Sequence, residues 1–144
     1  MKTFFVGVDE VGRGCIAGPV VAAAVILKKK EILSLKDSKL LSPKKRKLLS
    51  EDIKRNCIEY SIAKVSSKKI DKINIRQASL LAMKMAVEKL KKRNIEVIVD
   101  GVDKIDTLYK CKAIIKADSI YREVMAASII AKVYRDEFMK DLDK

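Results

Sequence analysis

The sequence predicts an α/β fold built on a mixed sheet, and three observations predict it. Three early stretches read as strands with hairpin-like connections, later strands alternate with helical patterns, and acidic residues stand at the carboxyl ends of several of those strands. A length of 144 residues with 49% apolar content is enough for one compact domain with a real core.

The elements follow in order. Residues 3–9, through Phe4-Phe5-Val6-Gly7-Val8, read as a buried strand. A glycine-rich turn leads to a second strand over 18–28, whose centre Val20-Val21-Ala22-Ala23-Ala24-Val25-Ile26-Leu27 is apolar throughout. Ser42-Pro43 opens a helix, with serine as the cap and proline at the first helical position. Leu48, Leu49 and Ile53 form its expected buried side. Residues 57–65 read as a third strand, with Ile58, Tyr60 and Ile62 loosely alternating with Cys57, Glu59 and Ser61. A helix is expected over 75–93, with Gln77, Lys84, Glu88 and Lys91 on its wet face. Ile95–Val99 and Lys112–Lys116 complete five strands. A last helix is expected over 119–142, with Ile120, Val124, Ala127, Ala131, Tyr134 and Phe138 as its apolar stripe. No internal repeat or linker divides the chain, so 1–144 is expected to be a single domain.

Composition narrows the chemistry. The net charge of +13, from a large excess of lysine, attracts polyanions; a lysine-rich proteome would give the same figure. There is no histidine, so histidine triads, bases and metal ligands are excluded. The three cysteines, Cys15, Cys57 and Cys111, form no paired motif, so neither a disulfide framework nor a zinc site is expected, and a cytoplasmic location is. No apolar run is long enough to span a bilayer, and the start lacks the pattern of a signal peptide.

Four acids carry the functional signal: Asp9 and Glu10 after the first strand, Asp100 after the fourth, and Asp118 after the fifth. In open α/β sheets the carboxyl edge is where ligands bind. Hard divalent cations take oxygen ligands, and two of them can activate water and stabilise the leaving oxygen of a phosphodiester. Taken singly, Asp100-Gly101 reads better as a turn and Asp118 or Ser119 better as a helix cap, and Asp9-Glu10 could be a solvated strand end. Four coincidences on one edge favour the metal site. Adjacent strand residues point to opposite faces, so Asp9 is the ligand of choice. Glu10 assists only if the strand breaks there, or through its backbone oxygen or a water.

Gly12-Arg13-Gly14 is either a tight turn or a backbone loop pressed against a nucleotide. Ser38 and Lys39 offer a hydroxyl and an ammonium just before a helix start, suited to a phosphate; a surface lysine in a lysine-rich chain is the alternative. The P-loop spacing from Gly7 to Gly12 lacks the lysine and hydroxyl residue that motif requires.

These residues resemble ribonuclease HII. The similarity runs through Gly7-Val8-Asp9-Glu10-Val11-Gly12-Arg13-Gly14, Ala17-Gly18-Pro19-Val20-Val21, Asp37-Ser38-Lys39-Leu40 and Val99-Asp100-Gly101. It ends with Asp118-Ser119 and Ala126-Ala127-Ser128-Ile129-Ile130-Ala131-Lys132-Val133-Tyr134-Arg135-Asp136. The resemblance implies a ribonuclease-H-like mixed five-stranded sheet flanked by helices. It implies endonucleolytic cleavage of RNA in RNA–DNA hybrids and at ribonucleotides embedded in duplex DNA, with Mg²⁺ or Mn²⁺, leaving 3′-hydroxyl and 5′-phosphate ends. By position, Asp9, Glu10, Asp100 and Asp118 are the implied catalytic and metal residues. Gly12, Arg13, Gly14, Ser38 and Lys39 are the implied substrate contacts, with the loop reading the ribose 2′-hydroxyl, and Asp136 is a supporting acid. Arg13 favours this branch over ribonuclease HIII. A monomer without membrane attachment is expected.

Two departures from the family pattern stand out. Ala117 replaces the usual glycine before the acid. The family also continues beyond the equivalent of Lys144 with a segment whose tyrosine stacks near the ribonucleotide. A hybrid-binding module with little or no turnover is therefore the alternative reading. A DNA nuclease of the same fold would need only the carboxylates and leaves the Gly-Arg-Gly loop unexplained.

Overall fold

The computed structural model describes residues 2–12, 18–28 and 41–142. In chain order these contain β1 (Phe4–Val11), β2 (Val20–Ile26), α1 (Pro43–Asn56), β3 (Glu59–Val65), α2 (Ser67–Ile73) and α3 (Ile75–Lys89). There follow β4 (Ile95–Asp100), β5 (Lys110–Ile114), a 3-10 turn over Ala117–Ser119, and α4 (Arg122–Leu142). The five strands form one mixed sheet in the order β3-β2-β1-β4-β5, the ribonuclease-H-like arrangement expected. β1 pairs antiparallel with β2 and β2 antiparallel with β3, whereas β1–β4 and β4–β5 are parallel.

The sheet is covered on both faces. On one, Val6 and Val8 of β1 and Ala22 and Ala24 of β2 meet Ala78, Ala82, Ala86 and Val87 of α3. On the other, Val21, Ala23 and Val25 meet Ala126, Ala127, Ile130 and Ala131 of α4, with Ile53 of α1 beside them. This explains the composition of β2: all seven of its residues are buried, so it shows no alternation. The alanines on strand and helix let the layers approach closely. At Gly7 they come so near that an added β-carbon would stand 2.1 Å from the carbonyl carbon of Glu123 in the first turn of α4. β3 and β5 form the two edges.

Several expectations need correction. α1 lies between β2 and β3, so that antiparallel pair is not a hairpin. In α1, Ser50 and Ile53 are buried and Leu48 is 59% exposed. α3 ends at Lys89 rather than at residue 93. There the Glu59 carboxylate accepts the amides of Lys91 (2.6 Å) and Lys92 (3.1 Å) and holds the chain in a turn. β5 begins two residues earlier than expected, at Lys110. Ile120 is exposed and precedes α4 instead of joining its stripe. α2 was not expected at all. Its cap, Ser66, accepts the Lys69 amide at 3.2 Å, and Asn74 separates it from α3 with a positive φ of 72° while accepting the Gln77 amide at 3.0 Å.

Candidate active site

Strand register builds the site. Val8 of β1 pairs with Val99 of β4, so Asp9 and Asp100 leave the sheet at the same level on neighbouring parallel strands. Side-chain alternation turns Asp9 to the α4 face, opposite Val6 and Val8, and Asp100 to the same face as Ile98, opposite Val97 and Val99. Beyond Asp100 the chain turns at Gly101 (φ 147°), whose amide is held by the Ile114 carbonyl at 3.1 Å. After β5, Lys116 takes a left-handed conformation (φ 57°) and folds the chain into the 3-10 turn that carries Asp118. Ala117 is fully buried at the start of that turn. The Ser119 hydroxyl donates to the Lys116 carbonyl at 2.8 Å and so fixes the turn from within.

Asp9, Asp100 and Asp118 thereby converge: one carboxylate oxygen from each lies within 4.8 Å of the others. Asp9 is only 8% exposed. Burial, reinforced by the Asp100 charge, pushes its carboxyl up to about 8, although the Glu10 amide donates to it at 2.8 Å and works the other way. Asp100 is also raised, first by burial and then by the charge of Asp118 and a hydrogen bond with it; the amides of Asp118 and Ala117 oppose the rise. Asp9 and Asp100 both resist ionising, so the cluster they form with Asp118 is short of positive charge. Their all-oxygen donor set and spacing fit a hard divalent cation.

Glu10 is not in this cluster. β1 stays regular through Val11, which pairs with Val21, so the strand does not break at Glu10. Glu10 instead stands between two hollows. One, of about 200 Å³, is lined by Val11, Arg46, Met125, Ser128, Ile129 and Lys132. The other, of about 180 Å³, brings Glu10 together with Arg76, Ser79, Asp100, Gly101 and Asp103. Arg76 is gripped there by both Asp103 oxygens, at 2.8 and 2.9 Å. Asp136 lies outside the cluster and pairs with Lys132 at 3.1 Å along α4. Gly12 is buried with φ 115°, a conformation that favours glycine. Arg13, Gly14, Ser38 and Lys39 lie outside the described residues.

Sequence reasoning missed Arg46, Ser128 and Lys132 beside Glu10, and Arg135, which is buried on α4. Arg135 had a readable signal: it extends the i, i+4 series Ala127, Ala131 into a position where an apolar residue is expected.

A family model described as Ribonuclease HII matches residues 6–144. The chain belongs to the ribonuclease HII family. Ribonuclease HII of Borreliella burgdorferi is 54% identical over 142 residues, covering 96% of this chain and 77% of that one. Ribonuclease H2 from Pyrococcus horikoshii OT3 has the same fold, with a TM-score of 0.85 at 30% identity over 96% of this chain and 74% of its own. Ribonuclease HII from Archaeoglobus fulgidus, whose structure is a complex with PCNA, gives 0.84 at 33% identity, with the same coverage of 96% and 74%. As a ribonuclease HII the chain is a hydrolase, a ribonuclease H of type 2, and family membership implies cleavage of RNA–DNA hybrids. Among the described residues no helix is long and apolar enough to cross a membrane.

Proposed function

We propose that this ribonuclease HII cuts RNA in RNA–DNA hybrids and single ribonucleotides embedded in duplex DNA, leaving 3′-hydroxyl and 5′-phosphate ends. Mg²⁺ or Mn²⁺ would serve as cofactor, two ions per site. The observation that carries this reading is the convergence of Asp9, Asp100 and Asp118 within 4.8 Å at the carboxyl edge of the sheet. The ions, when bound, supply the Lewis acidity that activates water and stabilises the departing oxygen. Asp9, Asp100 and Asp118 hold them, and Glu10 assists from the neighbouring hollow.

The remaining steps belong to the chain's own residues. Asp9, whose carboxyl sits near 8 without a cation, releases its proton as positive charge arrives. Gly12-Arg13-Gly14 reads the ribose 2′-hydroxyl, and a side chain is absent where Gly12 must approach. Ser38 and Lys39 hold the strand by its phosphate. Asp136 supports the site by orienting Lys132 at the rim of the hollow beside Glu10. The net charge of +13 draws the polyanion in. Residues 1–144 act as one catalytic domain and as a monomer, and the free thiol of Cys111 suits a reducing cytoplasm.

The test is a labelled duplex with one embedded ribonucleotide, beside an all-DNA duplex, with and without Mn²⁺. Metal-dependent cutting at the ribonucleotide alone is expected, and its loss in Asp9→Asn and Asp118→Asn. Full cleavage by either variant would reject the assignment, and binding without turnover would favour a hybrid-binding module.

A further inference from the structure

Arg135 is the one cationic residue among the buried polar residues of the described structure, at 7% exposure. Its Nε donates to the Pro19 carbonyl at 2.9 Å, across 116 residues of sequence. Two glycines receive the guanidinium. A β-carbon on Gly12 would stand 2.9 Å from Nε, and one on Gly18 would stand 2.9 Å from Nη2. Nη2 is buried and makes no hydrogen bond among the described residues. No ion pair reaches Arg135 among the described residues, and the adjacent Asp136 is paired with Lys132. Burying a guanidinium against a single carbonyl is costly, and an apolar residue would complete the α4 stripe at lower cost.

We infer that Arg135 is a positioning residue for the reaction. Its planar head ties Gly12, where the chain leaves β1, to Gly18-Pro19, where it enters β2. Glu10 and Asp9 lie two and three residues before Gly12, but pairing with Ala22 and Ala23 of β2 holds them in the sheet, so the tie acts on Gly12 and not on the acids. The room left by the missing β-carbons is shared by the guanidinium with the Pro19 carbonyl oxygen, 2.7 Å from a β-carbon on Gly12, and the Met139 sulfur, 2.8 Å from one on Gly18. Arg135 touches neither substrate nor metal; it acts through Gly12, which faces the ribose in the function proposed above, and the inference rests on that reading.

The experiment compares the intact chain with Arg135→Met, Arg135→Lys and Gly18→Ala on the ribonucleotide-containing duplex. KM, kcat, Mn²⁺ affinity and amide exchange at Gly12 and Gly18 are measured together. Arg135→Met should raise KM about tenfold or more, with kcat and Mn²⁺ affinity near the parent values. Arg135→Lys should recover part of the loss. Gly18→Ala leaves Arg135 in place but intrudes on its head, and it should move KM in the same direction even if Arg135→Met folds poorly. The Gly12 and Gly18 amides should exchange faster in Arg135→Met while those of β4 are unchanged. Unaltered exchange at both glycines overturns the inference whether or not the chain cleaves, as does an equal fall in kcat and Mn²⁺ affinity. Failure of the parent chain to cleave, with exchange changed as expected, would reject the proposed function instead.

Discussion

Gly7 of β1 and Glu123 of α4 touch backbone to backbone, and no side chain larger than hydrogen fits between them. Asp9 lies two residues along the strand from this contact, and Asp118 lies five residues before Glu123. The contact therefore sets how near the two acids come. Gly7→Ala should force β1 and α4 apart and lower the unfolding free energy by roughly 1–3 kcal/mol or more. Denaturant titration measures the loss, and Mn²⁺ binding should weaken with it. A variant as stable as the parent would show that the layers yield without strain.

Asp9 makes the cation-free protein sensitive to pH. Its carboxyl is raised in the folded state from 3.8 to about 8. Between those values the unfolded chain has lost a proton that the folded chain keeps, so stability must fall as pH rises through this window. Urea midpoints in chelator should decline from about pH 4 to about pH 8 and then level off. Asp9→Asn cannot ionise; it should be more stable than the parent at pH 8, with the difference gone near pH 4. An advantage for Asp9→Asn that is the same at both ends would refute the burial argument.

Divalent cations should reverse that loss. At a concentration about a hundredfold above the dissociation constant, Mn²⁺ adds about 2.7 kcal/mol to the apparent stability. Thermal melts with and without Mn²⁺ should show this increment in the parent chain and little of it in Asp100→Asn or Asp118→Asn. An equal increment in all three would place the cation elsewhere.

Asn74 serves two helices, ending α2 and capping α3 at a positive φ of 72°. Asn74→Ala removes the cap and the short polar side chain that tolerates a positive φ, and it should cost about 1–2 kcal/mol. Asn74→Gly keeps the conformation and should cost only a few tenths. Chemical denaturation of the two variants checks the order, and equal losses would mean that the cap alone matters.

Much of this was legible in the chain because the signals were local. Asp9, Asp100 and Asp118 could be placed by where each strand runs out, and β2 by an apolar run too long for a half-buried strand. The alternation rule also identified Asp9, not Glu10, as the natural member of the cluster. What stayed hidden depends on distant partners. α2 buries none of its seven residues and is rich in lysine, so no periodicity marks it. Leu48 and Ser50 exchange the places that hydrophobicity alone would give them, because α1 turns Leu49 and Ile53 toward the core beneath α4 and Leu48 falls outside that side. Ser128 and Lys132 acquire their setting only when α4 is laid beside Glu10. Arg135 breaks the apolar series of Ala127 and Ala131, but what its head reaches is known only when Pro19 arrives from the other end of the chain.

The borders of the sheet have a bearing on behaviour in concentrated solution. A strand with an open side can recruit the same strand from another molecule, and fibres grow that way. At β5, a short border strand, Lys110 and Lys112 are both exposed. Two such borders brought together would set ammonium against ammonium before any new ladder could form. The lysines that suit this enzyme to a polyanion thus also keep its copies from zipping into one another.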